Sequence, residues 1–269
     1  MSSVHLHVEN LQFQYPAPRR GIEPYKIIES LSLGIRHGEF ACLLGPSGCG
    51  KTTLLNILAG FESAFTGELK ANGEPILKPD PRRLCLFQQS SVFPWLTVEE
   101  NVAFGIRGEK AQFVREKVEH YVELVGLRGH ETHYPRQLSG GMKQRLELAR
   151  ALAADAEILF MDEPFSALDY LSRMQMREEL ERIWQREKKT VVMVTHDVEE
   201  ALQLADRIFI LSSRPARVVR TVSVATPRPR RPGDPEMLRL REEITQYLSR
   251  RSPMDSRNDL AAGGQLEAL

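Results

Sequence analysis

A chain of 269 residues, 42% of them hydrophobic, carries apolar material for one large or two small globular units with a true core. Lys plus Arg and Asp plus Glu both count 36, a balance that argues against a protein held on nucleic acid by bulk electrostatics and leaves open only a local basic patch. Three cysteines, Cys42, Cys49 and Cys85, stand in no metal-type pair and predict a reducing compartment without disulfides, and no stretch reaches the roughly 18–20 consecutive apolar residues of a membrane span.

The start, Met1-Ser2-Ser3-Val4-His5-Leu6, lacks the charged head and long apolar segment of a secretion signal, so the expectation is a soluble cytoplasmic polypeptide. Val4, Leu6 and Val8 alternate with polar residues. Leu11, Phe13 and Tyr15 resume the alternation on a shifted phase, which predicts one bulged strand or two short ones, ended by Pro16. Tyr15 thus stands at a strand end, before a polar loop that holds Arg19 and Arg20. Leu31, Leu33 and Ile35 predict a second half-buried strand, closed by the His37-Gly38 turn.

The apolar run Phe40 to Leu44 leads through Gly45-Pro46-Ser47-Gly48-Cys49-Gly50-Lys51-Thr52-Thr53 into Leu54 to Gly60, read as strand, glycine loop and helix. This is the phosphate-loop pattern G-x-x-x-x-G-K-[ST] in the context it requires. Backbone N–H groups at such a helix start turn toward an anion, and a polyphosphate fits there. Lys51 reaches terminal phosphates, Thr52 places a hydroxyl on Mg²⁺, and Thr53 donates to a nearer phosphate. By itself the loop says NTPase or kinase.

Gly67 to Gly73 reads as a strand entering an Asn72-Gly73 hairpin turn, and Leu84 to Phe87 as a short buried strand ending at Gln88-Gln89. Helix follows. Thr97 and Glu100 form a capping box, and Ala111, Val114, Val118, Tyr121, Val122 and Val125 form an amphipathic stripe ended by Gly126, so residues from Ser90 to Arg136 read as a helical insertion. Pro135 interrupts it. Leu138-Ser139-Gly140-Gly141 then opens a helix to Ala154, with Ser139 as N-cap and a bare entrance that makes a second anion site.

Ile158 to Met161 predicts a central parallel strand that delivers Asp162 and Glu163 at its C-terminal end, the edge where open α/β sheets bind ligands. Asp162 suits the water shell of Mg²⁺, and Glu163 suits deprotonation of an attacking water. Ser166 to Asp169 links to a helix with Met176, Leu180, Ile183 and Trp184 inward. Thr190 to Thr195 is the next buried strand and ends at His196, placed to donate to a terminal phosphate. Asp197 with Glu200 caps the next helix, and Ile208 to Leu211 with Val218-Val219 finish the sheet. Thr226 to Pro232 reads as a stiff basic linker, solvated rather than touching anionic lipid or nucleic acid, Pro235 to Arg250 as a charged helix, and the Ala/Gly-rich end from Ser252 as disordered.

Taken together, the loop at Gly45 to Thr53, Phe87-Gln88, Leu138-Ser139-Gly140-Gly141, the segment through Glu163 with Ser166 to Asp169, and His196 resemble, in order, the motifs of the ATP-binding subunit of an ABC transporter over roughly residues 4 to 250. The resemblance implies an α/β phosphate-loop ATPase core with an antiparallel β subdomain and a helical insertion: core at 1–89 and 137–225, insertion at 90–136, linker and helix at 226–251, tail at 252–269. Phe93-Pro94-Trp95-Leu96, LSGGMKQR, MDEPFSALD and THDVEEAL resemble more narrowly bacterial importers of the nitrate, sulfonate and taurine group.

The resemblance further implies ATP and Mg²⁺ as ligands, with Tyr15 stacked on adenine, Gly45, Pro46, Ser47, Gly48, Cys49, Gly50, Lys51, Thr52 and Thr53 around the phosphates, and Thr52, Gln88 and, through water, Asp162 at the metal. Gln88 would link the metal to the membrane subunits. Glu163 would be the general base, Lys51 and His196 its catalytic companions, and Ser139, Gly140 and Gly141 would close over the ATP of an opposing subunit. The implied partners are a second ATP-binding subunit, identical or paralogous, two integral membrane permease subunits, and a periplasmic or lipid-anchored solute-binding protein. Nucleic acid is not among them. The implied place is the cytoplasmic face of the bacterial inner membrane. The alternatives are an importer ATPase for another small solute, a soluble ABC ATPase of nucleic acid or the ribosome, which the balanced charge and short insertion disfavour, and an ATP-binding regulatory module, which Glu163 disfavours.

Overall fold

The computed structural model describes residues 4–16, 24–88, 91–106, 110–166 and 168–249. The elements β1 (Val4–Tyr15), β2 (Tyr25–Arg36), β3 (Phe40–Leu44), α1 (Lys51–Ala59), β4 (Thr66–Ala71), β5 (Glu74–Pro75) and β6 (Arg83–Leu86) come first. They are followed by α2 (Val98–Phe104), α3 (Ala111–Leu124), α4 (Gly140–Ala153), β7 (Ile158–Asp162), α5 (Tyr170–Glu187), β8 (Thr190–Thr195), α6 (Val198–Leu204), β9 (Arg207–Leu211), β10 (Val218–Ser223) and α7 (Pro235–Ser249). The Arg19-Arg20 loop, residues 89 and 90 at the junction of the expected core and insertion, Ala167 and the tail expected from Ser252 lie outside the described residues.

The strands form two sheets. One is antiparallel in the order β2-β1-β4-β5; the other runs β10-β9-β3-β8-β7-β6, parallel throughout except for β10. β1 is the single bulged strand of the two options, because its register slips between Val8 and Leu11 and Asn10 takes up the extra residue at φ 51°. Helix α1 lies between the sheets: Leu54, Leu55, Ile57 and Leu58 share one core with Leu6, Leu11, Ile28 and Ile35 of the antiparallel sheet and with Leu43, Phe160 and Val194 of the parallel one. A second core joins the other face of the parallel sheet to α2–α6, through Phe40, Leu159, Val102, Leu146 and Trp184 among others. That strand faces are buried on both sides explains why β3, β7 and β8 read as unbroken apolar runs rather than alternating ones.

Local chemistry sets several boundaries as expected. Asn72 and Gly73, at φ 50° and 80°, turn β4 into β5. Thr97 and Glu100 close the capping box of α2, the Thr97 amide donating to Glu100 Oε2 at 2.8 Å and the Glu100 amide to Thr97 Oγ1 at 3.3 Å. Ser139 accepts from the Met142 amide at 3.3 Å and caps α4.

Three expectations are corrected. β6 is only half buried and Phe87 lies beyond it, exposed, because β6 is the edge of the parallel sheet. Asp197 caps α6 alone: its carboxylate accepts from the amides of Glu199 and Glu200, while the buried Glu200 side chain accepts from Thr195 Oγ1 at 2.6 Å and so cannot close a box. The basic linker is not a solvated connector. Arg230 is buried and donates to the carbonyls of Leu202, Gln203, Ala205, Val224 and Thr226, and Arg228 bonds Asp206 and the Leu204 carbonyl with its guanidinium 4.4 Å from the Trp184 ring centre. The carbonyls left over at the end of α6 are what recruits it.

Candidate active site

Strands β3, β8 and β7 are neighbours in parallel register, so their C-terminal ends deliver Gly45, His196 and Asp162-Glu163 to one sheet edge. The Gly45 amide donates to the Thr195 carbonyl at 3.3 Å and ties the phosphate loop to the strand that ends at His196. Lys51, in the first turn of α1, is buried, and its Nζ donates to the carbonyls of Gly45 at 3.0 Å and Pro46 at 3.1 Å. The same Nζ stands 3.5 Å from Glu163 Oε1, and His196 Nδ1 stands 3.1 Å from that oxygen. One carboxylate oxygen therefore faces two nitrogen donors at the mouth of the loop.

Glu163 reaches this position at φ 44°, a left-handed conformation unusual for a non-glycine residue. Its amide donates to the Val194 carbonyl at 3.0 Å and its carbonyl accepts from the Ser166 amide at 3.1 Å, which fixes the turn. Asp162 is buried beneath. Burial pushes its carboxyl above the usual carboxylate range, while a hydrogen bond from the Thr52 hydroxyl pulls the other way. Hydroxyl and carboxylate oxygens side by side form a hard donor pair that fits Mg²⁺. Among the described residues no group of three His, Cys, Asp or Glu side chains could hold a metal.

The loop needs its glycines for different reasons. Gly50 caps α1 at φ 111°, and a Cβ there would stand 2.7 Å from Ile27 Cγ2 of the antiparallel sheet. Gly50→Ala is expected to destabilise the fold by about 1–3 kcal/mol, read as a lower denaturant midpoint at unchanged slope. Cys49 is buried under the turn, and desolvation pushes its thiol up, so it packs rather than reacts.

A cavity of about 610 Å³ opens over the loop, lined by Gly45, Pro46, Ser47, Gly48, Cys49 and His196 together with Tyr25, Ser213, Arg214 and Leu248. The last four were not singled out in the sequence. Tyr25 pairs across the strand end with Tyr15, which is half exposed and does not line the cavity. The end-of-strand aromatic signal marked Tyr15, and the pairing of β1 with β2 brings Tyr25 beside it. Gln88 also lies elsewhere: it is exposed and lines a separate cavity of about 160 Å³ with Gly140, Lys143 and Gln144 of α4. Ser139, Gly140 and Gly141 do not line the loop cavity of their own chain.

A phosphate loop at a parallel sheet edge, with a buried carboxylate, a second carboxylate beyond it and a histidine from the next strand, defines a phosphate-loop NTPase. The comparisons narrow this. Residues 28–166 match the family model for the ABC transporter. The chain is 41% identical over 225 residues to an aliphatic sulfonates import ATP-binding protein, SsuB, of Bacillus cereus, covering 84% of this chain and 89% of that one. It is 40% identical over 259 residues to the nitrate import ATP-binding protein NrtD of Synechococcus elongatus, covering 93% of each. It also resembles the dimeric post-hydrolysis structure of the ATP-binding cassette MJ0796 bound to ADP and Pi, with a TM-score of 0.69 at 30% identity over 82% of this chain and 99% of that one. The chain belongs to the ABC transporter family, whose ATP-binding proteins hydrolyse ATP to drive transport.

Proposed function

We propose that this chain is the ATP-hydrolysing subunit of a bacterial importer that takes up a small oxyanion or organosulfonate, acting at the cytoplasmic face of the inner membrane. The observation that carries the hydrolytic part is the placement of Glu163 Oε1 within 3.5 Å of Lys51 Nζ and 3.1 Å of His196 Nδ1. A phosphate entering the loop competes with that carboxylate and with the Gly45 and Pro46 carbonyls for the Lys51 ammonium. Once Lys51 turns to the phosphate, Glu163 is left to accept a proton from an attacking water, and His196 donates to the departing phosphate. Thr52 and Asp162 would hold Mg²⁺, which would neutralise phosphate charge. Gly45 to Thr53 would bind the phosphates, and Tyr15 would stack on the base, with Tyr25 of the cavity wall paired beside it.

The solute class is supported by the two import proteins above, at about 40% identity over most of each chain. Among the described residues no helix is long and apolar enough to cross a membrane, so partner permease subunits would provide the crossing. The receiving surface is the face of the insertion where exposed Trp95 and Phe104 flank Phe93, beside a groove of about 360 Å³ lined by Leu84, Phe93, Phe104 and Arg150. A solute-binding protein outside the membrane would then select the cargo. Deleting the gene should abolish uptake of labelled nitrate or of an aliphatic sulfonate, and only the wild-type gene, not the Glu163→Gln gene, should restore it. Full uptake of both solutes in the deletion strain would overturn the reading.

Two copies would meet head to tail. No described heavy atom outside the local chain lies within 4 Å of a Cβ built on Gly140 or Gly141, and neither is at positive φ, so the chain's own packing does not demand glycine at either place. Bare amides at a helix start suit an anion brought by another copy. Gly141→Asp should leave stability within about 1 kcal/mol, since an acidic side chain in the first turn favours the helix. Opposed to a bound phosphate, it should abolish ATP-dependent pairing in gel filtration of a Glu163→Gln background.

A further inference from the structure

The cavity over the phosphate loop has a wall that neither the family match nor the relatives' names assign. Arg214 reaches it from the turn between β9 and β10. Its Nη2 donates to the Gly48 carbonyl at 2.5 Å, its Nη1 bonds the Tyr25 hydroxyl, and its guanidinium carbon lies 4.5 Å from the Tyr25 ring centre. Gly48 and Tyr25 line the same cavity. We propose that Arg214 is a positioning residue for the nucleotide: it locks the tip of the phosphate loop and the Tyr25 ring into one wall of the ATP site.

Gly48 has little packed around it. It sits at φ 75°, and among the described residues no heavy atom outside the local chain lies within 4 Å of the place a Cβ would occupy, so their packing does little to hold the tip. Hydrogen bonds must hold it. A trans peptide points its carbonyl and the following N–H in opposite directions. Between Gly48 and Cys49 the carbonyl is held by Arg214, and the N–H donates to the Pro46 carbonyl at 3.3 Å. Both edges of that peptide plane are therefore fixed, and flipping it breaks two bonds. The orientation of such planes decides whether an anion over the loop meets donors or acceptors.

The arm that carries Arg214 is itself anchored. The Ala216 amide donates to the Ile27 carbonyl at 2.7 Å and the Glu29 amide to the Ala216 carbonyl at 3.1 Å, stitching the turn to β2, while Ser212 Oγ donates to the Pro215 carbonyl at 2.8 Å and accepts from the Arg217 amide at 3.0 Å. The guanidinium thus bridges the antiparallel sheet, through Tyr25, to the loop that the parallel sheet presents. A planar fork is needed for this. Lysine, a point charge without a face, can replace the charge but not the simultaneous bonds to Gly48 and Tyr25 and the stack on the ring.

The proposal rests on the ATPase reading, and the test separates the two. ATP turnover by wild type, and its loss in Glu163→Gln, test that reading. Arg214→Ala and Arg214→Lys then test the wall: each should raise the KM for ATP about tenfold, with kcat moving less than twofold. Because the side chain is exposed, the melting temperature should stay near wild type. Tyr25→Phe, which keeps the ring and deletes the hydroxyl, should give a smaller rise that does not multiply with that of Arg214→Ala. A KM unchanged in Arg214→Ala, or restored to wild type by lysine, would overturn the proposal while leaving the ATPase reading intact.

Discussion

Glu163→Gln should lower ATP turnover by about 10²–10⁴-fold while ATP still binds. The substitution keeps the volume and replaces a basic carboxylate with a neutral amide that cannot take a proton at neutral pH, so the effect falls on the chemical step. The geometry makes the selectivity expected. The phosphate loop, Thr52 and Asp162 are untouched, and the backbone turn at φ 44° is held by main-chain bonds to Val194 and Ser166 that an amide side chain does not disturb. Loss of the Glu163 charge also frees Lys51, 3.5 Å away, for a phosphate. ATP affinity should therefore be equal to or tighter than wild type, and the ATP-bound pair of subunits should accumulate. The measurement is steady-state phosphate release beside equilibrium binding of ATP. Turnover close to wild type would remove Glu163 from the role of base.

Arg230→Ala should destabilise the fold by about 3–5 kcal/mol, a large part of the stability of an ordinary domain. A buried guanidinium carrying five carbonyl bonds is here a structural cap rather than a surface charge. It collects the Leu202, Gln203 and Ala205 carbonyls at the end of α6 and joins them to the Val224 and Thr226 carbonyls that follow β10. Burial, with Arg228 nearby, pushes its pKa down to about 10, which still leaves it charged at neutral pH. Truncation leaves up to five acceptors to find water, and each one that fails costs about 1–3 kcal/mol. Arg230→Lys should recover only part of the loss, because three donors on a flexible stem cannot span the set. Equilibrium unfolding in denaturant reads the effect. Hydrogen exchange should place the first loosening in α6 and α7, and α6 begins two residues after His196, so turnover should fall with it.

What the amino-acid order by itself determined was the local chemistry. A loop that cradles phosphate needs glycines, a lysine and a hydroxyl at set spacing, and an apolar run that ends in two carboxylates marks a buried strand reaching a ligand edge. Gly45 to Thr53, Asp162, Glu163, His196 and the capped start at Ser139 were legible because each is a short-range pattern, and their order along the chain narrowed meanings that each leaves open by itself. Tertiary structure alone decided which of these meet: parallel pairing of β3, β8 and β7 set Lys51, Glu163 and His196 side by side, and held Gln88 and Ser139 to Gly141 apart from them. It also chose Tyr25 over its strand partner for the cavity wall, aimed Arg214 at Gly48, and turned Arg228 and Arg230 from linker charges into a cap. For the three arginines the reason is the same. A guanidinium takes any carbonyl, carboxylate or ring that packing brings within reach, and which one arrives across 166 residues of chain, as with Arg214 and Gly48, depends on how two sheets and a helix stack, not on the residues beside it.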